Sequence, residues 1–195
     1  MKIMGKYIPN SITITRMVLT FIFLYFILEQ FQYKKDNIIS LIFVFLVICI
    51  SDLADGKIAR RMGTSSVLGA KLDVSADLLY IIISYSALIV VGILPVWFLI
   101  FVCFKFIEFT ATSKFIKYYN QESKNVFVFD KIGRKVAAIF FIIPGLACIS
   151  RCMFVDNGLS FVYCILYLTC VAGLYSSIQR VRSCIKLYNI SISGN

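Results

Sequence analysis

The sequence predicts an all-α integral membrane protein: a bundle of six transmembrane helices with both termini in the cytoplasm. Three observations carry that expectation. The 195 residues are 60% hydrophobic and only 15% charged, whereas soluble domains have an apolar share nearer one half. The apolar residues fall into six long runs, as they must if each run crosses a hydrocarbon layer about 30 Å thick. The twenty Lys and Arg residues lie predominantly on one side of those runs, and that bias sets orientation.

Taken in order, the spans are Ile12 to Leu28, Ile38 to Ile58, Leu72 to Ile93, Val96 to Phe115, Val136 to Ser150 and Leu159 to Ile178. No small-residue cleavage pattern follows the first run, so it reads as a span and not as a cleaved leader. The third and fourth are divided by Gly92-Ile93-Leu94-Pro95, a turn signal in an apolar context. The fifth is short and carries Pro144-Gly145, which predicts a bend. No repeat, low-complexity tract or second domain interrupts the pattern, and residues 1–195 read as a single membrane domain.

With the N-terminus inside, the cytoplasmic side collects sixteen cations against three outside, Lys34, Lys35 and Arg151, with Lys105 within a span. The second span then descends toward the cytoplasm with Asp52 and Asp55 near its lower end, and the third rises with Asp73 and Asp77 in its first turns. The active face is accordingly expected at the cytoplasmic boundary of the cell membrane.

Charged groups at membrane depth are costly, and carboxylates placed there point to a function. Asp52 and Asp55 are three apart, Asp73 and Asp77 four apart, so on helices each pair shares one face. Gly56 and Gly69 lie between the pairs, where the backbone is expected to turn or to approach something closely. An all-oxygen site of this kind suits Mg²⁺ or Mn²⁺, not zinc. Histidine is absent, which leaves acid–base chemistry to carboxylates, Lys, Arg or Tyr. The seven cysteines form no CxxC pair and read as small buried hydrophobes. Divalent metal beside Lys57, Arg60 and Arg61 is what a pyrophosphate requires.

The run Asp52-x2-Asp55-Gly56-x2-Ala59-Arg60-x8-Gly69-x3-Asp73-x3-Asp77 resembles the full motif of the CDP-alcohol phosphotransferase family, eight positions with every gap correct. Ile8-Pro9-Asn10-Ser11-Ile12-Thr13-Ile14-Thr15-Arg16 is similar to the start of the first span in bacterial members. The resemblance implies transfer of a substituted phosphoryl group from a CDP-linked donor, here CDP-diacylglycerol, to an alcohol with release of CMP. It implies that Asp52, Asp55, Asp73 and Asp77 hold two metal ions (Mg²⁺ or Mn²⁺) on the donor pyrophosphate and that Asp77 also accepts the proton of the attacking hydroxyl. Gly56, Arg60, Ser66 and the stretch Asn10, Ser11, Ile12 and Thr13 match donor-binding positions. A homodimer in the lipid bilayer is the expected assembly, with no nucleic-acid partner.

The short six-span form and the Arg16 start are most similar to phosphatidylglycerophosphate synthases, which makes glycerol 3-phosphate the expected acceptor. Asp73-Val74-Ser75-Ala76-Asp77-Leu78 and Gly133-Arg134-Lys135-Val136-Ala137 depart from those enzymes' pattern, and serine or inositol phosphate are the alternative acceptors. Arg134, Lys135 and Lys105 are the candidate acceptor-binding cations. Lys105 and Glu108 are three apart in the fourth span and also read as an intramembrane ion pair. A cation transporter or a non-catalytic scaffold is the reading from another class. A transporter would set its charges near the midplane in repeated halves, and a scaffold would not need the intact motif.

Overall fold

The computed structural model of the chain describes residues 8–62, 67–119, 131–153 and 158–193. Among them are six α-helices and no strand: α1 (Ile8–Phe31), α2 (Ile38–Met62), α3 (Val67–Val90), α4 (Val96–Tyr119), α5 (Lys131–Met153) and α6 (Gly158–Ser193). Five carry stretches long and apolar enough to cross a membrane, and the apolar part of α2, Ile38–Ala54, is shorter. The helices outrun the apolar runs because backbone hydrogen bonding does not stop where hydropathy does. At about 1.5 Å per residue, the 36 residues of α6 extend for roughly 54 Å, well beyond a hydrocarbon layer of about 30 Å. Helix α5 continues through Pro144.

The end of α3 falls before the expected Ile93, and the reason is local. Gly92 adopts φ +74°, a left-handed conformation that glycine takes without a Cβ clash. The Ile93 amide then donates to the Leu88 carbonyl at 2.8 Å and the Gly92 amide to Ile89 at 3.0 Å. This pair of bonds closes a Schellman motif, and Leu88 and Ile93, the two positions whose side chains usually meet in it, are both buried.

By packing, the chain divides into one unit of residues 1–95 and 141–160 and another of residues 96–140 and 161–195. In the first unit α1 lies against both α2 and α3. Its buried stripe is Thr13, Arg16, Thr20, Phe23 and Ile27, spaced alternately by three and four as one helix face requires. Leu41, Val44, Phe45 and Ile48 form the matching stripe of α2, and Ala76, Tyr80, Ser84 and Leu88 that of α3. Aromatic rings join them, with Phe23 5.9 Å from Tyr80 and 6.1 Å from Phe45, and Tyr80 4.5 Å from Phe141. A Cβ at Gly145 would run into the Phe45 ring, so glycine permits α5 to approach α2 closely here.

The loop between α1 and α2 is tied down at its polar groups. Glu29 accepts from the Lys35 ammonium at 2.6 Å and from the Asn37 side-chain amide at 2.7 Å, and the Asn37 backbone amide donates to Gln30 at 2.7 Å. The hydrogen bond to Glu29 holds the Lys35 ammonium above its usual pKa. Asn37 thereby stands in place to accept the first helical bond of α2, from Leu41 at 3.0 Å.

In the second unit Phe98, Phe101 and Phe140 pack with centroids 6.0–6.2 Å apart, and Trp97 stacks on Tyr167 at 5.5 Å. All seven cysteines are free. The expectation that they are buried holds only for Cys148; Cys164 is exposed and the other five are intermediate.

Candidate metal centre

The apolar seam of α1, α2 and α3 turns polar at one end. One turn beyond Ile48 on α2 stands Asp52, and one turn before Tyr80 and Ala76 on α3 stand Asp77 and Asp73. One oxygen from each of Asp52, Asp73 and Asp77 lies within 4.8 Å of the others. Helical spacing explains why two helices suffice: Asp73 and Asp77 project from successive turns of α3 toward the same neighbour.

Arg16 of α1 sits among them, fully buried. Its Nη1 is 2.6 Å from Asp77 Oδ1 and 2.9 Å from Asp52 Oδ1, and its Nη2 is 3.1 Å from Asp73 Oδ1. Thr20, one turn along α1, donates its hydroxyl to the Arg16 carbonyl at 2.9 Å. The carboxylates are not enclosed: their side chains remain 33%, 39% and 36% exposed for Asp52, Asp73 and Asp77. An incoming polar molecule therefore has access to oxygens whose other flank is fixed by a buried cation.

The donor set fits a hard divalent ion. Three carboxylate oxygens at this separation match the oxygen-rich coordination of Mg²⁺ or Mn²⁺, and the presence of a guanidinium among them shows that the cluster is stabilised by positive charge. The cluster contains three of the four aspartates expected. Asp55 lies on α2 one turn from Asp52, and its side chain, like those of Gly56 and Arg60, is outside the described ones. Of the two roles expected for Gly56 and Gly69, a turn or a close approach, the turn is not seen; both lie within helices, α2 and α3. Ser66 lies outside the described residues. Among the donor-binding candidates of α1, Asn10 and Ile12 are helical with side chains outside the described ones, Ser11 is exposed and Thr13 is buried.

The acceptor-binding candidates belong to the second unit. Arg134 and Lys135 are exposed in the first turns of α5. Lys105 is engaged: its ammonium donates to Glu108 Oε2 and to Ser177 Oγ, both at 2.7 Å, and Ser177 donates to the same Glu108 oxygen at 2.6 Å. Arg180, on the same helix as Ser177, is buried and donates to Thr112 Oγ1 at 2.9 Å, to Ser113 Oγ at 3.0 Å and to the Phe109 carbonyl at 3.3 Å.

A sequence profile of the CDP-alcohol phosphatidyltransferase family matches residues 6–175. The chain belongs to this family. Its relatives include a putative cardiolipin synthase of Mycobacterium tuberculosis, 36% identical over 93 residues that make up 48% of this chain and 42% of the relative. A cardiolipin synthase (CMP-forming) of Streptomyces coelicolor is 37% identical over 91 residues, 46% of this chain and 42% of the relative. A CDP-diacylglycerol–glycerol-3-phosphate 3-phosphatidyltransferase of Aquifex aeolicus is 33% identical over 70 residues, 36% of each chain. The matched stretch thus covers less than half the length of each of these relatives. Four aspartates beside long apolar runs are a placement that membrane insertion alone disfavours.

Arg16 was not among the site residues expected from the sequence. Its signal there is a cation near the start of an apolar run, and charge so placed calls for counter-charge from elsewhere in the chain.

Proposed function

We propose that the chain transfers the phosphatidyl group of CDP-diacylglycerol to glycerol 3-phosphate and releases CMP. The observation that supports this most is the convergence of Asp52, Asp73 and Asp77 from two helices of a family-matched chain. Asp52, Asp55, Asp73 and Asp77 would hold two divalent ions. Bound there, Mg²⁺ or Mn²⁺ supplies neutralising charge to the pyrophosphate and to the departing CMP. Asn10, Ser11, Ile12, Thr13, Gly56, Arg60 and Ser66 are assigned to the donor. Gly56 leaves its backbone open to a phosphate, and Arg60 offers a bidentate cation. Asp77 takes the proton of the acceptor hydroxyl as its oxygen bonds to the β-phosphorus. The bond from that phosphorus to the oxygen bridging it to CMP breaks, and CMP leaves with that oxygen. Arg134 and Lys135 are assigned to the acceptor phosphate, with Lys105 as a further cation. The working assembly is read as a homodimer.

The name of the Aquifex relative supports glycerol 3-phosphate. Two relatives named cardiolipin synthase support a second reading, with the same donor and leaving group and a glycerol-bearing phospholipid as acceptor. The test is CMP release by purified protein from CDP-diacylglycerol, with Mg²⁺ or with chelator. The acceptor panel is glycerol 3-phosphate, phosphatidylglycerol, serine and inositol phosphate. Mg²⁺-dependent release with one acceptor is the expected result. No release with any of them would favour the scaffold or transporter reading.

The site is proposed to face the cytoplasm, on the strength of the sixteen-to-three cation count. Introduced cysteines at Gly63 and Ser123 should resist an impermeant thiol reagent applied to intact cells, and one at Asp156 should react, on a background without native cysteines. These three positions lie outside the described residues, and the expectation rests on charge alone. Strong labelling of Gly63→Cys from outside would reverse the orientation.

A further inference from the structure

We propose that Arg16 is a built-in counter-cation that competes with divalent metal for the carboxylates of Asp52, Asp73 and Asp77. The inference rests on the reading of this cluster as a metal centre. Three oxygens mutually within 4.8 Å all lie within about 2.8 Å (4.8/√3) of a common point, and contraction to the 2.0–2.1 Å of Mg²⁺ ligation is a small further step. Arg16 Nη1, at 2.6 Å from Asp77 and 2.9 Å from Asp52, stands at that kind of distance. The guanidinium thus engages the same three carboxylates that a bound ion would use.

Charge turns shared carboxylates into competition. The three aspartates bring three negative charges and Arg16 returns one positive. Arg16 is 0% exposed, so water screens it less than it would a surface cation, and a second cation a few ångströms away is repelled. The same ion pairs tie α1 to α2 and α3. Arg16 accordingly keeps three helices together when no ion is bound, and yields carboxylate oxygens when one arrives. Its side chain serves the fold and sets the metal threshold.

The test measures binding and stability, not turnover. Mn²⁺ titrations of the purified protein in detergent, read by the electron paramagnetic resonance signal of free Mn²⁺, give the dissociation constant. Thermal unfolding in EDTA and in Mg²⁺ gives the stabilisation by metal. Arg16→Gln removes the competing charge and should tighten Mn²⁺ binding by about tenfold or more. It should also lower Tm in EDTA and enlarge the rise on adding Mg²⁺. Arg16→Lys keeps the charge on one ammonium that cannot span three carboxylates as a guanidinium does. It should bind Mn²⁺ with intermediate affinity and fold even if Arg16→Gln does not. Unchanged or weaker Mn²⁺ binding in the folded variants overturns the competition and leaves the metal centre standing. Absence of Mn²⁺ binding by the wild-type protein overturns both.

Discussion

Replacing Asp77 by Asn is expected to slow phosphatidyl transfer by about 10²–10⁴, the usual cost of removing a general base, while CDP-diacylglycerol still binds in the presence of Mg²⁺. Asp77 stands one helical turn from Asp73 on α3, so the two carboxylates are able to divide metal holding and proton transfer between them. Its Oδ1 accepts from Arg16 at 2.6 Å, and its side chain keeps 36% of its surface open. Asparagine preserves the shape and an oxygen that Arg16 can still reach, but it cannot take up the hydroxyl proton. Donor binding and single-turnover CMP release should be measured on one preparation. Loss of donor binding in step with turnover would make Asp77 chiefly a metal ligand; intact turnover would remove it from the site altogether.

Glu108→Leu should destabilise the protein by about 3–5 kcal/mol, because it strands the Lys105 ammonium in a buried setting. The pair is close, 2.7 Å, and its side chains are only 9% and 11% exposed. The cost comes from the charge left behind more than from the bond removed. Lys105→Met with Glu108→Leu should therefore recover most of the loss, to within about 1 kcal/mol of the parent. Denaturant unfolding in detergent resolves the difference. Equal destabilisation in the single and double variants would show that the pair is not the unit that matters. A stable double variant that fails with glycerol 3-phosphate, yet still binds donor, would place Lys105 on the acceptor.

The aspartates were legible in the sequence because each is conspicuous alone: a carboxylate in an apolar run, at a spacing that puts two on one face. Arg16 was conspicuous too, but its partners lie 36 to 61 residues away, and only the packing of α1 against α2 and α3 reveals the match. The same holds for Ser177, which joins Lys105 and Glu108 from about 70 residues off with no local pattern to announce it. Gly92 was read as a turn, and its left-handed φ gives that reading its cause. Gly56 and Gly69 make no turn, because glycine weakens a helix without forbidding one. Helix lengths were underestimated for a physical reason: hydropathy marks where lipid contact ends, whereas α6 continues hydrogen bonding through Arg180, Arg182 and Lys186.

The ion pairs of Arg16 also constrain the order of events during biosynthesis. Unpaired charges are costly where a helix enters the hydrocarbon, and here the opposite charges are carried by different helices. When α1 leaves the ribosome its Arg16 has no counter-charge; Asp52 follows with α2, and Asp73 and Asp77 only with α3. Arg16 therefore acquires its last partner only after about 60 more residues have been made. Packing of α1 against α2 and α3 then gives Arg16 its carboxylate partners. The charge match among the first three helices is complete only once Asp77 has emerged.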